Sequence, residues 1–251
     1  MGKVRSVPTR GPGGPDPQER AQELLYARDI ARINALRRTY ERLLPVSLDP
    51  TDPSLPAATL REATLLFTDA RGFTAIAERL ERDPARLLAI LNEHFDVAVR
   101  AIARCAGTVE KFLGDGLFAT FGAWQDQPDH AARALAAAMA VVGANEALNR
   151  RRARDWGFRL EVGVGVCTGR VVVGSVGPPQ RCELGVLGDP VNVAARLVAQ
   201  SGPGEVLLCA STYAAVASSV AAELLGDRAI RGRMGQLRLY RVGNPQDRGR
   251  A

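Results

Sequence analysis

Histidine, cysteine and aromatic residues are all scarce in this 251-residue chain, and each scarcity removes a class of chemistry. The 2 histidines, His94 and His130, stand alone in sequence, which argues against a histidine-based metal or acid–base centre. The 4 cysteines, Cys105, Cys167, Cys182 and Cys209, lack paired metal-ligand spacing and read as free thiols in a reducing compartment. No signal peptide and no apolar run long enough to span a bilayer can be read, so the expectation is a cytoplasmic protein with no membrane segment. Zinc-finger spacing, an aromatic-studded basic stripe and a helix-turn-helix signature are missing too, which speaks against nucleic acid. The net charge of +6 comes from dispersed basic residues. Their densest cluster, Arg150, Arg151, Arg152 and Arg154, suits a solvated helix end. That charge is compatible with a phosphorylated small substrate.

What is present is ordinary for a soluble globular protein: 46% hydrophobic and 24% charged residues, at a length that fits one domain plus an appendage. Residues 1–17, with Gly11 to Pro15 and Pro17, read as a disordered leader. Residues 18–45 read as a helix ended by Pro45. Tyr26, Ile33, Leu36, Tyr40 and Leu43 give it a short coiled-coil-like seam, which also suits a single helix packed on its own domain. Residues 46–60, rich in Pro and Asp, form a linker, residues 61–243 the domain proper, and residues 244–251 a tail.

Within the domain, Thr64 to Phe67 suits a buried strand that stops at Asp69 and turns through Gly72 into a helix over 73–81. Read alone, Asp69 is a helix cap or turn former as readily as a cation ligand. A second helix, 84–105, carries Leu87, Leu88, Leu91, Phe95, Val99 and Ile102 at helical spacing, expected inward. Strands 108–112 and 117–121 flank Asp115-Gly116, a hairpin signal that needs no function. A long Ala-rich helix follows over 129–154, capped by Asp129, with Ala134, Leu135, Met139 and Val142 inward. Strands 159–167 and 170–176 are expected on either side of a Thr168-Gly169 turn, then a tip at Pro178, Pro179 and Gln180. The remaining elements are a helix over 189–200, a strand over 206–209, a short helix capped by Ser211, and a last strand over 237–242. The order is α+β and resembles a ferredoxin-like split βαβ with additions.

Three blocks taken together are specific. Phe67-Thr68-Asp69-Ala70-Arg71-Gly72-Phe73-Thr74, Lys111-Phe112-Leu113-Gly114-Asp115-Gly116 and Gly188-Asp189-Pro190-Val191-Asn192-Val193-Ala194-Ala195-Arg196-Leu197 resemble the catalytic domain of class III nucleotidyl cyclases. The resemblance implies that Asp69 and Asp115, with the carbonyl of Ala70, hold two Mg²⁺ or Mn²⁺ ions per site. Attack of a ribose 3′-oxygen on the α-phosphorus would expel pyrophosphate. It further implies that amides at Gly72, Phe73 and Thr74 meet phosphate oxygens, that Asn192 orients the ribose, and that Arg196 sits on the developing charge. In this family the Asp pair and the Asn/Arg pair come from different subunits, which implies a homodimer with shared active sites. The helix at 18–45 resembles the signalling helix that often precedes such domains, an attachment point for an upstream regulatory partner.

Base selection follows from two further positions. Lys111 matches the residue that adenylate cyclases set against adenine; its donor suits N1 of adenine and opposes the N1–H of guanine. Gly185 stands where adenylate cyclases usually carry Asp or Thr, and some guanylate-type enzymes accept glycine there. ATP is the expected substrate, with a guanylate or low-specificity cyclase, or a non-catalytic signalling dimer of the same fold, as alternatives. Glu110 is expected on the opposite strand face from Lys111. Arg231-Gly232-Arg233 replaces a Lys-Gly-Lys common in the family, keeping at Arg231 the charge that would touch phosphate but not the geometry.

Overall fold

The structure, a computed structural model, describes residues 58–178, 183–229 and 236–243. The leader, the helix at 18–45, the linker up to residue 57, the tail, Pro179, Gln180, Cys182 and Arg231 lie outside the described residues.

The domain is built on a twisted sheet. Strand β1 (Thr59–Arg71) leads through α1 (Phe73–Arg79) and α2 (Pro84–Arg104) into the hairpin β2 (Thr108–Leu113) and β3 (Gly116–Phe121). Helix α3 (His130–Trp156) returns the chain to β4 (Glu161–Val176), which is followed by β5 (Glu183–Leu187) and α4 (Asp189–Gln200). The chain continues through β6 (Val206–Cys209), α5 (Ala210–Val216), β7 (Ala222–Ala229) and β8 (Gln236–Val242). The sheet order is β2-β3-β1-β4-β6-β8-β7, with β5 also paired to β4. Each of its first four strands is antiparallel to its neighbour among them, the arrangement expected of a split βαβ core.

Alternation along β1 assigns its two faces. Ala63, Leu65 and Phe67 join Val193, Ala194, Leu197 and Val198 of α4 in one core. Ala70 joins Ile76, Ile90, Leu148 and Trp156 of α1, α2 and α3 in another. Helix α4 lies directly on the sheet because β4 offers it no side chain at Gly165. A Cβ there would sit 2.5 Å from the carbonyl oxygen of Ala194 and run into the amide of Val198.

Several local expectations change. Strand β1 runs through Asp69 to Arg71, because Asp69 still pairs with Gly163 on β4. The anticipated turn at Thr168-Gly169 is absent: β4 passes straight through, since Thr168 and Gly169 pair with Thr64 and Ala63. Strand β7 was not anticipated. Asp129 sits at the start of α3 but its carboxylate takes Arg133 at 2.6 Å instead of capping, and Ser211 donates to the carbonyl of Thr168 rather than capping α5. Helix α3 is long and apolar enough by composition to cross a membrane. Its apolarity serves the core: Ala131, Ala134, Leu135, Ala138, Val141 and Leu148 are buried, while Met139 and Val142 are only half-buried. Asn145 and Asn149 on the same helix donate to the carbonyl of Leu160 at 2.6 and 3.0 Å.

Candidate active site

Asp69 and Asp115 are brought together by strand register. The last β1–β3 pair is Thr68 with Leu117, so Asp69 falls level with Gly116 and beside the hairpin loop carrying Asp115. Leu113 pairs with Gly116, which leaves Gly114-Asp115 as a two-residue loop; Gly114, at φ 65°, supplies its left-handed residue. Gly116 serves another need: a Cβ there would run into the carbonyl oxygen of Thr68, so only glycine lets the loop press against β1. The hydroxyl of Thr68 accepts from the amide of Leu117 at 3.2 Å and pins the junction.

The Asp69 carboxyl has a pKa above the ordinary range. Burial is the main cause, the Arg71 guanidinium opposes it, and the Asp115 charge adds to it. A carboxylate at Asp115 near enough to raise the proton affinity of Asp69 forms with it a donor pair suited to a hard divalent cation. Among the described residues no group of three or more His, Cys, Asp or Glu comes together. Carbonyl and phosphate oxygens would therefore complete the coordination of a cation here, as is usual for Mg²⁺.

Arg71 was not singled out from the sequence. Its guanidinium lies 2.9 Å from the Asp69 carboxylate, donates to Ser201 Oγ at 3.0 Å, and bonds the carbonyl of Val198 at the end of α4. The legible signal was alternation: residues 69 and 71 share a strand face. Ala70 points to the opposite face and is buried, leaving only its carbonyl for a site. Gly72, at φ 74°, turns the chain into α1, whose first residues are Phe73 and Thr74.

Asn192 and Arg196 ride α4 one turn apart, outside its buried Val193, Ala194, Leu197 and Val198. Among the described residues neither side chain bonds to Asp69 or Asp115. Pro190 would meet a Cβ on Gly169 at 2.7 Å, which fixes the start of α4 over the Gly169–Ala63 pair. From there α4 runs back along β1 toward Asp69: Ala194 and Val198 meet Gly165, level with Phe67, and the carbonyl of Val198 reaches Arg71.

Lys111 and Gly185 border one open recess with Glu110, Phe118, Val176 and Glu183. Phe118 stacks on Phe67 at 4.5 Å and forms its floor. Lys111 Nζ donates to Glu183 at 2.6 Å, although β2 and β5 are not sheet neighbours. The expectation that Glu110 faces away from Lys111 fails. A register shift between Val109 and Lys111 interrupts alternation and turns Glu110 to the Phe118–Thr120 side. There its Oε1 accepts from Thr120 and from Trp124 Nε1, both at 2.6 Å. Burial pushes the Glu110 carboxyl up, while these bonds and the Lys111 charge oppose the shift.

Comparison with known proteins gives a consistent picture. Residues 55–244 match the family described as "Adenylate and Guanylate cyclase catalytic domain". Adenylate cyclase 1 of Rhizobium meliloti (strain 1021) is 35% identical over 188 residues, covering 74% of this chain and 28% of that protein. The match thus spans well under a third of that relative's length. Among solved structures, the adenylyl cyclase CyaB from P. aeruginosa superposes with a TM-score of 0.68 at 27% identity, covering 75% of this chain and 96% of that one. The guanylyl cyclase Cya2 superposes equally well, with a TM-score of 0.68 at 31% identity and coverage of 76% and 97%.

Proposed function

The chain belongs to the adenylate and guanylate cyclase catalytic domain family, and from that premise we propose that it converts ATP to 3′,5′-cyclic AMP and pyrophosphate in a homodimer. The observation that carries the adenine reading is Lys111, whose ammonium enters the recess bordered by Gly185. A donor there complements N1 of adenine and opposes the N1–H of guanine.

Asp69 and Asp115, with the carbonyl of Ala70, would hold two Mg²⁺ or Mn²⁺ ions. Such ions, when bound, acidify the attacking hydroxyl and neutralise the triphosphate. The chain's own groups do the rest. Amides at Gly72 to Thr74 donate to phosphate oxygens, as unpaired amides at a helix start can. The 3′-oxygen bonds to the α-phosphorus, the bond to the bridging oxygen breaks, and pyrophosphate departs. Arg196, contributed by the second copy, compensates the charge that grows on the phosphoryl oxygens in this step, and Asn192 holds the ribose in line.

The guanylate alternative is favoured by one feature, the missing side chain at Gly185, and the likeness to the guanylyl cyclase Cya2 keeps it in view. Purified protein assayed with Mn²⁺ and each nucleotide separates the two: cyclic AMP is the expected main product, and cyclic GMP in its place overturns the reading. Asp69→Ala should abolish product without dissociating the dimer. Unchanged turnover in that variant removes Asp69 from the metal site.

A further inference from the structure

The recess that takes the base holds a carboxylate that lies outside the three cyclase-like blocks. Gly185 has no acceptor for an exocyclic amine, and the space beside it is taken: a Cβ there would lie 2.7 Å from Val176 Cγ2. Glu183 is two residues earlier on β5, hence on the same strand face, and is the direct cross-strand partner of that Val176. Its Oε2 sits 2.6 Å from Lys111 Nζ, with both side chains about half exposed to the recess (49% and 53%). The other carboxyl in the recess, Glu110, is half-buried and held by Thr120 and Trp124.

We propose that Glu183 is a specificity-determining residue, its carboxylate accepting from the 6-amino group of adenine in place of the side chain missing at 185. This inference rests on the ATP reading of the same site. Lys111 and Glu183 then present an adjacent donor and acceptor, the complement of N1 and the 6-amino group on the adenine edge. With Lys111 on the N1 side, guanine would turn its O6 toward the carboxylate, so the pair rejects guanine twice. The ion pair is exposed and adds little to stability, so its loss leaves the fold intact.

The test compares kcat/KM for ATP, GTP and purine riboside triphosphate, which is ATP without its 6-amino group, using the full chain with Mn²⁺. The unaltered protein should favour ATP over the purine analogue by about ten- to a hundredfold, the range for losing a hydrogen bond to a charged group. In Glu183→Ala, ATP should fall to the level of the analogue while GTP turnover rises. If Glu183 only positioned Lys111, ATP and the analogue would fall together and their ratio would persist, which overturns the proposal. A Glu183→Ala variant with the original ATP preference overturns it as well. Preference for GTP in the unaltered protein overturns the ATP reading itself, before any variant is compared.

Discussion

At Glu110 a bulge and a burial cost meet in one side chain. Its Oε1 accepts two hydrogen bonds at 2.6 Å, yet its proton affinity is raised because burial outweighs those bonds and the nearby Lys111 charge. A carboxyl whose folded pKa lies above its unfolded value binds its proton more tightly in the native state. That stabilisation is complete below the ordinary glutamate pKa of about 4.3 and is lost as pH rises through the folded value. Glu110→Gln keeps an oxygen acceptor for Thr120 and Trp124 but has no charge to bury. Relative to the unaltered protein it should therefore gain stability as pH rises above the ordinary glutamate pKa of about 4.3 and through the raised folded value. Urea unfolding at a series of pH values checks this. A constant difference at all pH values would mean that Glu110 is not the group titrating. Arg71 shows how one residue serves two purposes at this scale: it neutralises Asp69 and ties β1 to the end of α4.

Among elements, the seating of α4 on β4 sets where Asn192 and Arg196 stand. Gly165→Ala would force the backbone at Ala194 and Val198 away from the sheet. Overpacking of this kind should cost about 1–3 kcal/mol, read as a lower denaturation midpoint at unchanged slope, together with reduced turnover. An unchanged midpoint would show that α4 does not need that close approach. Elements with strong local signals were legible in the sequence: the strand character of β4, though not its continuity through Thr168-Gly169, the capless but Ala-rich α3, and the glycine-bounded hairpin that carries Asp115. The failures have physical reasons. Strand β7 carries Glu223, Asp227 and Arg228, and its strand state comes from pairing with β8 and ion pairs to Arg241 and Arg238. In α2 the buried side is Ile90, His94, Ala98, Val99, Ala101 and Ile102, whereas Leu88 is 58% exposed and Leu87, Leu91 and Phe95 are only half-buried. Helical periodicity marks apolar residues without saying which apolar surface they serve. The three cyclase-like blocks were legible because each is contiguous; Arg71 and Glu183 act through contacts with distant strands and helices, which no local pattern encodes.

For the whole molecule, the two halves of the proposed site stand on different elements: Asp69 on β1 with Asp115 in the β2–β3 loop, and Asn192 with Arg196 on α4. The aspartate pair lies at one end of β1; α4 starts over the other end and runs back, the carbonyl of Val198 near its end bonding the Arg71 that pairs with Asp69. In the proposed homodimer the two sets of groups on one phosphoryl centre come from different copies. The exposed Leu88, Phe112 and Leu113, with Phe95 against Phe112 at 4.6 Å, offer apolar surface of the kind a second copy would cover. A two-fold dimer that puts α4 of one copy across from Asp69 of the other forms two equivalent composite sites. Asp69→Ala and Arg196→Ala should each be inactive alone, one lacking a cation ligand and the other the guanidinium. Mixed under conditions of subunit exchange, about half of the dimers become hybrids, each with one site doubly damaged and one intact. Activity should then return to about a quarter of the unaltered level for random pairing. The readout is cyclic nucleotide formed by the mixture against the two variants kept apart. A mixture as inactive as its components, with exchange verified by mass, would place both groups in the same copy's site and overturn the shared-site dimer.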